Sequence, residues 1–193
     1  MAGIWEKYKM FIIVGVIILL LAGWFVGMYN GFVAMDQNVK GSWSEVESQY
    51  QRQANLVPNL VSSVKGYAQF EQSTLTEITA ARSKWQSQTT VAGQDEAGNQ
   101  LYSALSKLLV VYENYPDLKT VSTVSNLMDE LAGTQNRITV ARGRYIDAIK
   151  AFNTGIKMFP ANVFAGMWGF TEKTYYQAAP GAMETPTVPS TFT

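Results

Sequence analysis

The chain has 193 residues, 47% of them apolar and 16% charged, with Lys plus Arg and Asp plus Glu balanced at 15 each and neither His nor Cys. These absences exclude a His-ligated metal site, a Cys nucleophile and a Ser-His-Asp triad, and the missing Cys fits either side of a membrane. Zero net charge removes the electrostatic pull toward nucleic acid, and the scattered Gly residues form no phosphate-cradling loop.

Residues 1–9 form a short N-terminal segment. From Met10 to Met28 no side chain is charged. That length matches the roughly 20 apolar residues that cross about 30 Å of hydrocarbon. Trp5 and Tyr8 flank the run on one side, Trp24 and Tyr29 on the other, and such amphipathic rings favour the two membrane–water interfaces. The reading is a transmembrane helix over 10–29; a cleaved signal peptide is the alternative, but no small-residue cleavage site flanks the run. Lys7 and Lys9 precede the span, partly offset by Glu6, and the next basic residue is Lys40. The positive-inside bias therefore puts the N-terminus in the cytoplasm and the bulk of the chain outside. Gly15, Gly23 and Gly27 allow close helix approach within the bilayer, with Gly23 and Gly27 as a small-xxx-small pair, although ordinary Gly usage in a membrane helix accounts for them equally well.

Residues 30–159 read as a helical bundle. Alternating steps of four and three pick out Val39, Trp43, Val46, Tyr50, Gln53, Val57, Leu60, Val64, Tyr67, Glu71, Thr74, Ile78, Ala81 and Trp85, a buried helical seam. Pro58 lies within it and either kinks the helix or starts a new one. Residues 86–97 read as a polar turn. A second helix carries Leu101, Leu105, Leu108, Tyr112 and Tyr115 and ends at Pro116-Asp117. A third runs through Val124, Met128, Leu131, Gln135, Ile138, Arg142, Tyr145, Ile149, Phe152, Ile156 and Phe159 until Pro160 stops it. The expectation is an all-α fold: an N-terminal transmembrane helix continuing into an up-and-down antiparallel bundle of three or four long helices, since such stripes bury only against one another.

Residues 160–177 crowd Phe164, Met167, Trp168, Phe170, Tyr175 and Tyr176 into a stretch too short for another full bundle helix. They read either as an aromatic hook over one end of the core or as a contact surface for a partner, a second subunit or lipid headgroups. Residues 178–193 are a Pro- and Thr-rich tail whose composition predicts disorder when alone.

Polar residues interrupt the seams. Gln53, Glu71, Gln135 and Arg142 stand where apolar residues belong, and a buried charge there must find a partner, shift its pKa or lie at a solvated edge. Arg52, Arg82, Glu113, Asn136 and Arg137 lie close by, and together these nine residues predict an interhelical polar network that sets helix register. A carboxylate site for a cation or proton is the competing reading, weakened because a Glu flanked by Arg is a poor cation ligand. No catalytic, cofactor-binding or metal-ligating residues are predicted; an enzyme would have to rely on a desolvated Glu71 or Glu113 with no second chemical group at hand.

The order Tyr29-Asn30, Trp43-Ser44 and Arg52 followed by Asn55-Leu56-Val57-Pro58-Asn59-Leu60-Val61 resembles the LemA family of membrane-anchored proteins. Val64-Lys65-Gly66-Tyr67, Glu71, Ala81-Arg82, Tyr115-Pro116-Asp117-Leu118-Lys119, Leu131, Thr134, Asn136-Arg137-Ile138, Arg142, Tyr145, Phe152-Asn153, Phe159-Pro160 and Gly169-Phe170 continue the match over roughly residues 29–177. Three positions depart from the family pattern: Asn55 replaces an acidic residue, Gln135 a Glu, and Phe70 a common His. The resemblance implies an up-and-down bundle behind one N-terminal span and no established enzymatic activity. It links the chain by association with envelope stress and membrane proteases, and also implies a short N-terminus outside the cell, opposite to the charge bias.

The expected function is a non-enzymatic single-pass scaffold or adaptor of the cell envelope. Its partners would be the lipid bilayer, further copies of the chain as a homo-oligomer, and an envelope protein such as a membrane protease, with no nucleic acid and no cofactor. The alternative is a sensor of envelope stress or a ligand that passes helix shifts to the membrane.

Overall fold

Asn30-Gly31, a common turn dipeptide, lies between the uncharged run and the first seam, yet both fall on one helix. A computed structural model describes residues 2–65, 72–113 and 120–175, with all side chains except those of residues 2–7, 111 and 113. Helix α1 spans Ala2–Val64, 63 residues without interruption. It is followed by α2 (Gln72–Gln86), α3 (Val91–Glu113), α4 (Ser122–Lys157) and the short α5 (Ala161–Met167). No strand occurs among the described residues. The all-α expectation holds.

Pro58 sits inside α1, so it does not start a new helix. Its ring removes one backbone hydrogen bond, but Val57, Leu60 and Val64 are all buried, and their packing keeps the seam on one face. The expected polar turn over 86–97 contracts to the four residues between Gln86 and Val91. The Thr90 hydroxyl accepts the Gly93 N–H at 3.1 Å, and the Gln94 N–H donates to the Thr90 carbonyl at 2.8 Å. Thr90 thus caps α3 and starts it well before the apolar stripe begins.

The described residues group into two compact units, one built from the residues up to Gly41 with Ile146–Tyr175, the other from Ser42–Tyr145. Helices α1 and α4 each contribute a stretch to both. In the Ser42–Tyr145 unit, the Ala54 carbonyl accepts from Arg82 and the Tyr50 ring lies tilted 6.1 Å from Trp85, so α2 runs back along α1. Glu45 pairs with Arg144, Tyr50 with Arg142 and Gln53 with Gln135, which sets α4 antiparallel to α1. The core is the predicted seam: Val46, Tyr50, Val57, Leu60, Ile78, Leu101, Leu105, Leu108, Leu131 and Ile138 are each at most 2% exposed. Each such side chain contributes about 1.5–3 kcal/mol on burial.

In the other unit, Phe152 is 1% exposed and Ile149 fully buried, whereas Phe159, expected to close the third seam, is 84% exposed. The cause is that α4 ends at Lys157, two residues before Phe159. Among the described residues, one helix is long and apolar enough to cross a membrane, and its most apolar window is 0% buried. No atom lies within 4 Å of where a Cβ would sit on Gly15, Gly23 or Gly27, so that edge is open to a neighbouring helix or to lipid.

Candidate functional site: an interhelical polar cluster and an aromatic face

Among the described residues, the most enclosed ion pair of the Ser42–Tyr145 unit joins Arg142, on the seam of α4, to Asp95. Arg142 Nη2 donates to Asp95 Oδ1 at 2.7 Å and to Asn99 Oδ1 at 2.7 Å, both on α3. It also donates to the Tyr50 hydroxyl on α1. Tyr50 is 1% exposed and its hydroxyl donates to Asp95 at 3.3 Å, so three helices meet at one ion pair. The Arg142 guanidinium carbon lies 5.4 Å from the Tyr50 ring centre. A charge this deep is tolerated because its partner charge and neutral acceptors surround it. Burial, and secondarily the charge of Asp95, holds the nearby Tyr145 phenol above its ordinary range.

Glycine 98 makes the arrangement possible. A Cβ there would overlap the Tyr50 ring. Gly98→Ala should therefore destabilise the chain by about 1–3 kcal/mol despite the better helix propensity of Ala. Urea unfolding in detergent would measure this. A smaller residue at 50, in the double variant Gly98→Ala/Tyr50→Leu, should cost less than the two single changes added together.

The remaining expected network residues divide. Gln53, fully buried, donates to Gln135 at 3.2 Å, a neutral pair between α1 and α4. Arg52 and Arg137 both bridge Glu130, at 2.6 and 3.1 Å, but on an exposed face. Such exposed pairs contribute at most about 1 kcal/mol. Arg82 donates to the Ala54 carbonyl at 2.9 Å, tying α2 to α1. Asn136 is exposed. Glu71, Phe70 and the side chain of Glu113 lie outside the described residues, as do residues 115–119. Among the described residues these contacts form four separate ties: the Arg142 cluster, Gln53–Gln135, Arg52 and Arg137 on Glu130, and Arg82 on Ala54.

The sequence does not single out Asp95, Asn99 or Glu130, and it marks Tyr50 only as a seam position. Asp95 and its neighbour Gln94 were read as turn because they are polar. Gln94 instead bridges Trp43, whose indole N–H donates to it at 3.3 Å, and Glu47, which accepts from it at 2.8 Å. Stepping back from Leu101 by four and three reaches Ala97 and Gln94, a signal that the helix began earlier. The cluster offers little chemistry. One carboxylate is consumed by one guanidinium, and no group of three or more acidic side chains that could hold a metal occurs among the described residues.

The second feature belongs to the other unit. Phe164 on α5 meets Trp24 and Phe25 edge-on, with ring centres 6.4 and 5.2 Å apart. Trp168 packs against Phe25 and Tyr29 at 4.6 and 5.4 Å, and Phe170 against Phe32 and Phe152 at 5.3 and 6.3 Å. The chain is then clamped: Asn153 donates to the Lys173 carbonyl and accepts the Lys173 N–H, each at 2.8 Å. Lys173 Nζ pairs with Asp36 at 2.6 Å, and Lys40 pairs with the same carboxylate at 2.8 Å. Phe164, Trp168 and Phe170 are thus contact residues within this unit, on α1 and α4. Met167 and Tyr175 are exposed instead, and Tyr176 lies outside the described residues. Trp24 and Tyr29, expected as interface anchors, carry this aromatic face; the side chain of Trp5 is outside the described residues.

The ammonium groups of Lys173 and then Lys40 hold the Asp36 carboxyl below its ordinary value of 3.8. A carboxyl with a lowered folded pKa stabilises above its unfolded pKa and loses that contribution as pH falls through the folded one. The Lys173 clamp should therefore be intact at neutral pH and weaken on acidification below about pH 4. Asp36→Asn should remove this acid dependence, read from hydrogen exchange at residues 170–175 across a pH series.

The family model described as LemA family matches residues 42–189, more than half of the chain. This chain belongs to the LemA family. It is 27% identical to magnetosome protein MamQ 2 of Paramagnetospirillum magneticum, covering 83% of this chain and 68% of that protein. It is 25% identical to magnetosome protein MamQ of Magnetospirillum gryphiswaldense over the same shares, 83% and 68%. Protein LemA of Metamycoplasma hominis is 25% identical, covering 80% of this chain and 71% of that one. These relatives and the apolar helix make this LemA-family chain a membrane-associated helical protein. Asn55 accepts from Gln51 at 2.9 Å and Gln135 accepts from Gln53 at 3.2 Å, so both make neutral hydrogen bonds.

Proposed function

We propose that this chain is a non-enzymatic, single-pass membrane scaffold or adaptor of the cell envelope. Residues 10–29 span the bilayer, the N-terminus is cytoplasmic, and the bundle lies outside, where it self-associates or binds another envelope protein. The observation that carries this reading is the fate of the buried charge. Arg142, the seam's one deep cation among the described residues, is taken up by Asp95, Asn99 and Tyr50, as register-setting polar residues are. Membrane proteases enter as a partner class only through the family association.

The test is extraction of the full-length chain into native nanodiscs, with measurement of its mass and identification of co-extracted proteins. A discrete homo-oligomer, or one defined envelope partner, is the expected result. A monomer with nothing bound, together with turnover of a substrate by the purified chain, would overturn the reading.

The continuity of α1 from the span to Val64 favours a second reading, a sensor that carries small shifts along one helix. Shifts of about 1–2 Å are enough for such transmission. Hydrogen exchange of the bundle that is identical with and without envelope extract would sink it.

A further inference from the structure

From Met158 to Phe170 no side chain carries a charge. Helix α5 uses Phe164 to meet Trp24 and Phe25, which lie in the last turns of the span. Beside Phe164 on α5, Val163 and Met167 stand four residues apart and are 62% and 65% exposed, and Met158 and Phe159, just before the helix, are 60% and 84% exposed. Phe164 joins α5 to the end of a span whose most apolar window is 0% buried, so these exposed apolar residues sit beside the span's own apolar surface. Charges return at both ends of the segment, where Lys157 pairs with Glu172 at 2.6 Å.

We propose that Met158–Met167 is a second membrane contact: α5 lies in the interfacial layer of the bilayer that residues 10–29 cross, with Phe159, Val163 and Met167 inserted among the lipid chains. The inference rests on the span reading given above. A bilayer is the occupant because the patch sits beside the span and shares its aromatic packing. Trp24 lies four residues before Met28, about 6 Å along the axis at 1.5 Å per residue. That matches the burial depth of about 5–10 Å typical of interfacial helices. The Lys157–Glu172 pair then sits at headgroup level, where charged side chains are solvated.

Because the chain lacks Cys, single nitroxide labels can be placed cleanly. Val163→Cys and Met167→Cys would be labelled in the full-length chain in nanodiscs of phosphatidylethanolamine and phosphatidylglycerol. Leu19→Cys in the span and Thr139→Cys on the exposed face of α4 serve as references. The oxygen-to-nickel accessibility ratio at Val163 and Met167 should exceed that at Thr139 several-fold and approach that at Leu19. Water-like ratios at Val163 and Met167 with a lipid-like Leu19 would overturn the proposal and leave the span intact. A water-like Leu19 would overturn both. Exclusion of both quenchers at Val163 and Met167 would mean that protein covers these residues, which also defeats the proposal.

Discussion

Arg142→Met should destabilise the full-length chain by about 3–5 kcal/mol, because it strands the Asp95 carboxylate in a buried site. Asp95 is 8% exposed and keeps only the Tyr50 hydroxyl, at 3.3 Å, and the Asn99 amide, at 3.5 Å, once the guanidinium is gone. Neither neutral donor replaces a charge-assisted bond. The double variant Arg142→Met/Asp95→Leu should recover much of the loss, since removing both partners of a buried pair is far cheaper than removing one. Arg142→Lys should fall between, as an ammonium keeps a cation beside Asp95 but is more strongly hydrated than a guanidinium and costs more to bury. Urea unfolding in detergent, followed by tryptophan fluorescence and circular dichroism, reads all three. A loss under about 1 kcal/mol for Arg142→Met would mean that water screens the pair and that the cluster does not set register.

Phe152→Ala should have a comparable effect on the other unit, about 3–5 kcal/mol for a buried aromatic. Phe152 is 1% exposed, and its ring packs against Phe170 at 6.3 Å and lies 4.8 Å from the Lys173 ammonium. Emptying that position removes the floor beneath residues 168–173. The Lys173 amide, held by the Asn153 side chain at 2.8 Å, should then exchange many-fold faster, while amides of the Ser42–Tyr145 seam stay protected. Hydrogen exchange of the full-length chain in nanodiscs would separate the two. Equal loss of protection in both units would show that the aromatic face is not an independent packing element.

Some of this molecule was legible residue by residue. Every seam position from Val39 to Val64 is buried, as are Leu101, Leu105 and Leu108 on α3 and Val124, Met128 and Leu131 on α4. A four-three period reports burial directly because 3.6 residues per turn places those side chains on one stripe. The same logic failed at residues 86–97. Polarity was read as a turn, whereas Gln94 and Asp95 are polar because they serve a buried cluster. At Phe159 the stripe ran past its support: α4 stops at Lys157, and an apolar residue without a helix neighbour faces outward.

The sequence by itself determined the class of protein: a helix able to cross a membrane, long amphipathic helices behind it, and residue types with no place for His or Cys chemistry. Those are local or compositional properties, set by period and by what is absent. Only the tertiary structure decided which polar residues meet. Arg142 could have paired with any nearby acid along the chain, and the choice of Asp95, 47 positions away, depends on how α3 and α4 dock. The aromatic segment was equally undecided, because its residues suit a core, a partner or a bilayer alike. Packing against Trp24, Phe25 and Phe32 took one side of it, and left Phe159, Val163 and Met167 exposed. Pairing across distant sequence is a three-dimensional outcome, and no one-dimensional period encodes it.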